Sequence, residues 1–220
     1  FKNFKKVGVA IYANDLENIH YIYNSIEQYP DFIHIDIIDK TMDVNSKEVK
    51  IDKIDTMKAY WPKLQIQTHI MSYHPSIWIK KILIHSDVIF VHFECKENIL
   101  DLFKIIREAG KKPGLAINTG TEIKEIVDIV SQIEYLLLLT IKNPGTSGQK
   151  FDLDGLDRIN EINKLSFRNN FTLCVDGGIN ENIVSILDAE NIVSGSSVLN
   201  SANPKRQIMK LQTMGRYDSN

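Results

Sequence analysis

The chain has 220 residues, 43% of them hydrophobic and 25% charged, an ordinary globular composition long enough to bury a sizeable core without disulfides. A net charge of -2 and a pI near 6.3 supply no basic face, so no nucleic-acid partner is expected. The longest apolar run, residues 135–141, is too short to cross a bilayer, so no membrane partner is expected either.

The chain opens on Phe1 with no charged-then-apolar leader, so secretion is not expected, although that start also suits a domain of a longer protein. A short apolar run at residues 7–11 is the first strand candidate, and Asn14-Asp15 reads as the cap of an amphipathic helix over 15–28. Strand candidates follow at 32–37, 64–70 and 88–93, with a helix at 76–84 between the last two. A helix over 96–109 stops at Gly110; a strand follows at 114–118, and Thr119-Gly120-Thr121 reads as the cap of a helix over 121–131. Then come a strand at 135–141, a helix at 153–165, and strands at 171–175 and 191–193. The polar stretch 215–220 is expected to fray. Cys95 and Cys174 sit in no CxxC motif and read as reduced thiols, which points to the cytoplasm.

Alternating strands and helices imply right-handed βαβ units on a parallel sheet. Eight such units in this length favour an α/β fold of a single (β/α)8 TIM barrel, residues 1–220, over an open doubly wound sheet. No linker or low-complexity stretch divides it.

Residues two apart on a strand face the same way. His34 and Asp36 are therefore expected inside the barrel, with Ile33, Ile35 and Ile37 toward the helices. The same rule groups Gln65, Gln67 and His69, sets His92 in line with Val88 and Phe90, and groups Thr172, Cys174 and Asp176. Barrel interiors are normally apolar, and barrel enzymes keep their sites at the C-terminal strand ends, where these polar groups gather. Two histidines and two carboxylates converging there make a candidate site for one divalent ion of the Zn, Fe, Mn or Co kind. The plainer alternative is a pair of core histidines satisfied by buried acids. Three glycine-rich turns end late strands: residues 143–149, Asp176-Gly177-Gly178, and Ser194-Gly195-Ser196-Ser197. Backbone N–H groups of such turns cradle phosphate, and barrels usually bind it after strands seven and eight. Any one of them alone would be a tight turn.

In order along the chain, these motifs resemble the ribulose-phosphate 3-epimerase family. His34-Ile35-Asp36-Ile37-Ile38-Asp39 is similar to its H-x-D-x-M-D strand, Thr68-His69-Ile70-Met71 to V-H-L-M, and Val91-His92-Phe93-Glu94 to F-H-x-E. Residues 114–118, Asn143-Pro144-Gly145 with Gly148-Gln149, 175–179 and 193–196 complete the series. The resemblance implies a metal held by His34, Asp36, His69 and Asp176, with Asp36 and Asp176 as the acid/base pair. It implies phosphate or substrate contacts at Gly145, Gly148, Gly177, Gly178, Gly195 and Ser196, support from Asn143 and Gln149, and Met71 against the reacting carbon. The implied reaction inverts C3 of a ketose phosphate, such as D-ribulose 5-phosphate, through an enediolate, with bases on opposite faces. A homo-oligomer is also implied.

Departures from the family pattern bear on the substrate. Where the family has S-I-L-S-A-D, this chain has Ala10-Ile11-Tyr12-Ala13-Asn14-Asp15. Ile38 and Thr140 stand for methionines, and Lys40 for a glycine. Two other readings remain: a different enzyme on a phosphate-binding barrel, for which only Lys40 and Lys142 lie near strand ends, and a non-catalytic phosphosugar-binding domain.

Overall fold

Strand runs of period two and helical runs of period 3.6 alternate from the first apolar segment onward, and the backbone follows them. The computed structural model describes residues 2–218. After β1 (Lys2–Phe4) and β2 (Lys6–Tyr12), a 3-10 segment at Ala13–Asn18 leads into α1 (Ile19–Ile26) and β3 (Phe32–Ile38). A second 3-10 turn, Ile54–Thr56, enters α2 (Met57–Tyr60), followed by β4 (Gln65–Met71), α3 (Ser76–Ile82) and β5 (Val88–His92). Next come α4 (Ile99–Glu108), β6 (Lys112–Ile117), α5 (Ile123–Val130), β7 (Tyr135–Leu139), α6 (Asp154–Asn163) and β8 (Thr172–Asp176). The chain ends through α7 (Glu181–Val184), β9 (Asn191–Ser194), α8 (Ser196–Leu199), α9 (Pro204–Met214) and β10 (Arg216–Asp218).

Strands β2 to β9 are all parallel and close into an eight-membered ring in chain order, β9 pairing back onto β2. This is the expected (β/α)8 barrel. Outward side chains such as Ile33, Ile35, Ile37, Leu136, Leu138, Leu173 and Val175 form the main core under the helices. A separate inner cluster holds Phe32, Val88, Phe90, Leu137, Cys174 and Val193. Gly8 and Gly114 face the Phe32 and Phe90 rings, where any Cβ would collide, so two phenyl groups can share the lower interior. Each large apolar side chain buried this way contributes roughly 1.5–3 kcal/mol. With the lower interior filled, a cavity opens at the C-terminal mouth of the barrel.

Helix ends differ in detail from the sequence reading. Asn14 and Asp15 lie inside the 3-10 segment, and the Asn14 side chain instead accepts from the Lys50 N–H at 2.8 Å. The cap of α5 is Glu122, whose N–H donates to the Glu125 carboxylate at 3.0 Å, rather than a residue of 119–121. Gly110 does stop α4, at a φ of 71° that suits glycine. The terminal stretch is tied down where fraying was expected: Arg216–Asp218 pairs antiparallel with Lys2–Phe4, and Gly215 is buried above Lys5. Residues 219 and 220 of that stretch lie outside the described residues.

Candidate active site

Register explains why four polar side chains meet. Asp36 pairs with His69 across β3 and β4, so both project inward at one level, with His34 one layer below. Asp176 ends β8, three places round the ring from β3 and thus short of diametrically opposite. His34 Nε2 lies 3.4 Å from Asp36 Oδ1 and 3.9 Å from Asp176 Oδ2. His69 Nδ1 lies 3.0 Å from Asp36 Oδ1 and 4.0 Å from Asp176 Oδ2. Four ligand atoms around a tetrahedral ion with bonds near 2.0–2.1 Å sit roughly 3.3 Å apart. The contacts with Asp36 match that spacing, those with Asp176 are wider, and all four atoms lie within 4.8 Å of one another.

Proton counting is a second test of fit. Gln67 donates to Gln65 at 2.9 Å, so its carbonyl oxygen faces His34 Nδ1 at 3.4 Å. That contact calls for a proton on Nδ1 and turns the lone pair of Nε2 into the cluster, where this buried atom has no hydrogen-bond partner. On the other side, His69 Nε2 meets His92 Nε2 at 2.8 Å, and His92 Nδ1 meets Glu94 Oε2 at 2.9 Å. With the His69–Asp36 contact, this chain has three links needing three protons, and two neutral imidazoles carry two. A cation between His69 and Asp36 removes the need for the third. Each imidazole then donates outward, His69 to His92 and His92 to Glu94, as metal-bound histidines generally do. The donor set and its surroundings therefore fit a divalent metal.

Electrostatics separate the two aspartates. Burial opposes charge on Asp36, but the contacts with His34 and His69 overcome it and hold the carboxyl well below its usual range. Burial and then repulsion from Asp36 push Asp176 up to about 7, with His34 pulling the other way. Burial lowers His69 to about 4 despite its bond to Asp36, whereas Asp36 and Asp176 outweigh burial at His34 and leave it raised. Glu94 is held low, to about 2, because His92 and Thr121 more than offset its burial.

Asp36, His69 and Asp176 form the floor of a cavity of about 530 Å³, and Gly145, Gly148, Gln149, Gly177, Gly178, Gly195, Ser196 and Met71 line its walls and rim. Gly145, Gly148, Gly177 and Gly178 all have positive φ, between 70° and 121°. At Gly178 a Cβ would stand 2.6 Å from Phe151 Cα, so the turn closes only around glycine. Asn143 is not in the wall. Its backbone N–H donates to Gln149 Oε1 at 3.1 Å, and Gln149 Nε2 returns a bond to the Asn143 carbonyl at 2.6 Å, so the pair braces the loop from behind.

Comparisons with known proteins agree with this geometry. Residues 6–199 match the model of the ribulose-phosphate 3 epimerase family. The chain belongs to that family. It is an epimerase-like enzyme of the isomerase class. A ribulose-phosphate 3-epimerase of Bacillus subtilis is 27% identical over 94% of this chain and 98% of its own length. One from Aquifex aeolicus is 31% identical over 69% and 70%. Among solved structures, the 3-hexulose-6-phosphate synthase of Salmonella typhimurium superposes with a TM-score of 0.68 at 16% identity, over 95% of this chain and 97% of its own. The 3-keto-L-gulonate-6-phosphate decarboxylase of Vibrio cholerae gives 0.69 at 14%, over 96% and 97%. At those identities the structures show the shared barrel only.

Within the epimerase family, this chain's departures divide by location. Ala10 lines the cavity, while Ala13 is buried in the outer core. Thr140 is fully buried and donates to the carbonyls of Asp176 (3.0 Å) and Gly177 (2.7 Å), tying the end of β7 to the Gly177–Gly178 turn. Ile38 packs beneath Gly145, and Lys40 is exposed outside the wall. Lys142 is exposed too. His92 and Glu94 carry no task that the sequence alone assigns, and no motif marks Tyr12 as a wall residue. The F-H-x-E spacing was the available signal for the first pair. No helix among the described residues is long and apolar enough to cross a membrane, and both cysteines are free.

Proposed function

We propose that this enzyme inverts C3 of a ketose phosphate, interconverting D-ribulose 5-phosphate and D-xylulose 5-phosphate or a closely related pair. The observation that carries the reading is one cavity with two carboxylates at its floor and glycine turns at its rim. The turns bind the phosphate and set the sugar's length against the floor. The C3 hydrogen is acidic because the neighbouring C2 ketone accepts charge. Asp36 and Asp176, both facing the cavity from different strands, exchange protons with opposite faces of the planar enediolate. A divalent metal of the Zn, Fe, Mn or Co kind, held by His34, Asp36, His69 and Asp176, supplies Lewis-acid stabilisation of the charge on the substrate oxygens. Met71 shields the reacting carbon from water, and Asn143 and Gln149 hold the phosphate loop in shape.

Turnover in D₂O tests this directly. Product should carry deuterium at C3, because solvent supplies the proton on the second face. Asp36→Asn and Asp176→Asn should each lower kcat at least about 10²- to 10⁴-fold. Turnover without label at C3 rejects the two-base route, release of a trappable fragment indicates carbon–carbon cleavage, and absence of any exchange indicates a binding domain.

A further inference from the structure

We propose that Tyr12 is a substrate-binding and specificity-determining residue: its phenol hydroxyl grips a sugar oxygen between the two carboxylates and the phosphate turn. This rests on the ketose phosphate reading and adds a contact to it. Tyr12 is the last residue of β2 and pairs in register with Asp36, so it shares the inward face with Asp36 and with Ala10. It lines the same cavity and is only partly buried. Ala10, one pleat below, is where a Cβ on Gly195 would arrive, at 3.4 Å. The Ala10–Tyr12 column thus stands between the Gly195–Ser196 turn after β9 and Asp36 on β3, and a sugar phosphate spanning that turn and the carboxylates would pass along it.

The hydroxyl is also chemically available. It makes no hydrogen bond to another described residue. Burial and the nearby Asp36, Asp176 and Asp15 charges disfavour the phenolate, so the group is a standing donor at neutral pH. Of the other residues that β2 and its following turn bring to this wall, Ala10 has no polar side-chain atom and Asp15 a carboxylate, so Tyr12 is the hydroxyl they supply. A sugar hydroxyl enclosed there without a partner would be costly, and the phenol is placed to satisfy it.

The test is Tyr12→Phe, which keeps the ring and removes one oxygen. Calorimetry should show D-ribulose 5-phosphate binding about 5- to 100-fold more weakly, the range for an enclosed hydroxyl that loses its partner. Inorganic phosphate affinity and metal content should stay at wild-type values. The binding titration is repeated in an Asp176→Asn background to prevent turnover, and kcat/KM should fall by a similar factor in the active enzyme. Equal ketose phosphate affinity in wild type and Tyr12→Phe overturns this inference and leaves the epimerase reading intact. A parallel loss of inorganic phosphate affinity also overturns it, because the ring would then be shaping the phosphate turn. Wild-type binding without C3 exchange rejects the epimerase reading while the Tyr12 comparison still stands. No binding by wild type rejects both.

Discussion

Changing Glu94 to Gln tests whether the cluster is a metal site supported from behind. The Glu94 carboxylate takes His92 Nδ1 at 2.9 Å on one oxygen, and the Asn118 N–H at 2.9 Å together with the Thr121 hydroxyl on the other. An amide keeps the shape and has one acceptor oxygen. Whichever way it turns, its NH₂ faces a donor, either His92 Nδ1 or the Asn118 N–H. One buried donor unsatisfied costs about 1–3 kcal/mol, which for a chain of this length lowers Tm by very roughly 2–12 °C. If His92 loses its acceptor, His69 loses the bond that orients its ring, and metal affinity should drop about 10- to 100-fold, the usual penalty for outer partners. Metal-free protein titrated with zinc or manganese against a competing chelator reads the affinity; thermal unfolding without metal reads the brace separately. Unchanged affinity alongside a lowered Tm would refute the argument, leaving Glu94 as a structural clamp on the loop before α5.

The phosphate turn can be tested with Gly178→Ala. The added Cβ meets the Phe151 backbone at a φ of 70°, so affinity for inorganic phosphate and for the substrate should fall at least about tenfold, and unchanged phosphate binding would place the anion elsewhere. For pH dependence, Asp176 keeps its proton to about 7 in the fold, against a usual 3.8, so the fold loses stability as pH rises through that window. Metal-free Asp176→Asn should therefore gain on wild type between about pH 4 and 7, and loading with metal should reverse the order. A stability difference that does not vary with pH over that range would contradict the assignment.

Much of the fold was legible because strand and helix periodicities alternate cleanly. Each of the eight expected runs became a barrel strand, with ends moved by a few residues at most. Local signals misled where tertiary partners took over. Asn14 looks like a cap, yet its side chain is taken by Lys50, on the long connection after β3. The polar terminal stretch lacks an apolar pattern, yet Arg216–Asp218 finds a complementary edge in Lys2–Phe4 at the other end of the chain. Helix α9 went unassigned although Asn203 and Pro204 carry a cap and a first-turn proline, because its buried face is narrow, with Ile208 and Leu211 inward.

The site was legible to the extent that it lies on strands. Period two places His34, Asp36, His69 and Asp176 on inward faces, and β-sheet register does the rest. What period two cannot give is the partner on the next strand or loop. That His92 reaches His69, and that Glu94 turns back to His92 while holding Asn118, depends on the stagger of β4 against β5 and on the loop leaving β6. The same limit applies to Thr140. As a replacement for methionine it suggests a changed sugar pocket, but its hydroxyl is spent on the Asp176 and Gly177 carbonyls and never reaches the cavity. A change at a position the family pattern ties to the sugar pocket therefore acts on the support of Asp176. The converse holds for Tyr12: it occupies a position where the family pattern has an apolar residue, and its side chain faces the cavity floor. Altered selectivity in this enzyme should accordingly track the β2 wall, Ala10 and Tyr12, while Ile38 supports the Gly145 turn and Thr140 the Gly177 turn.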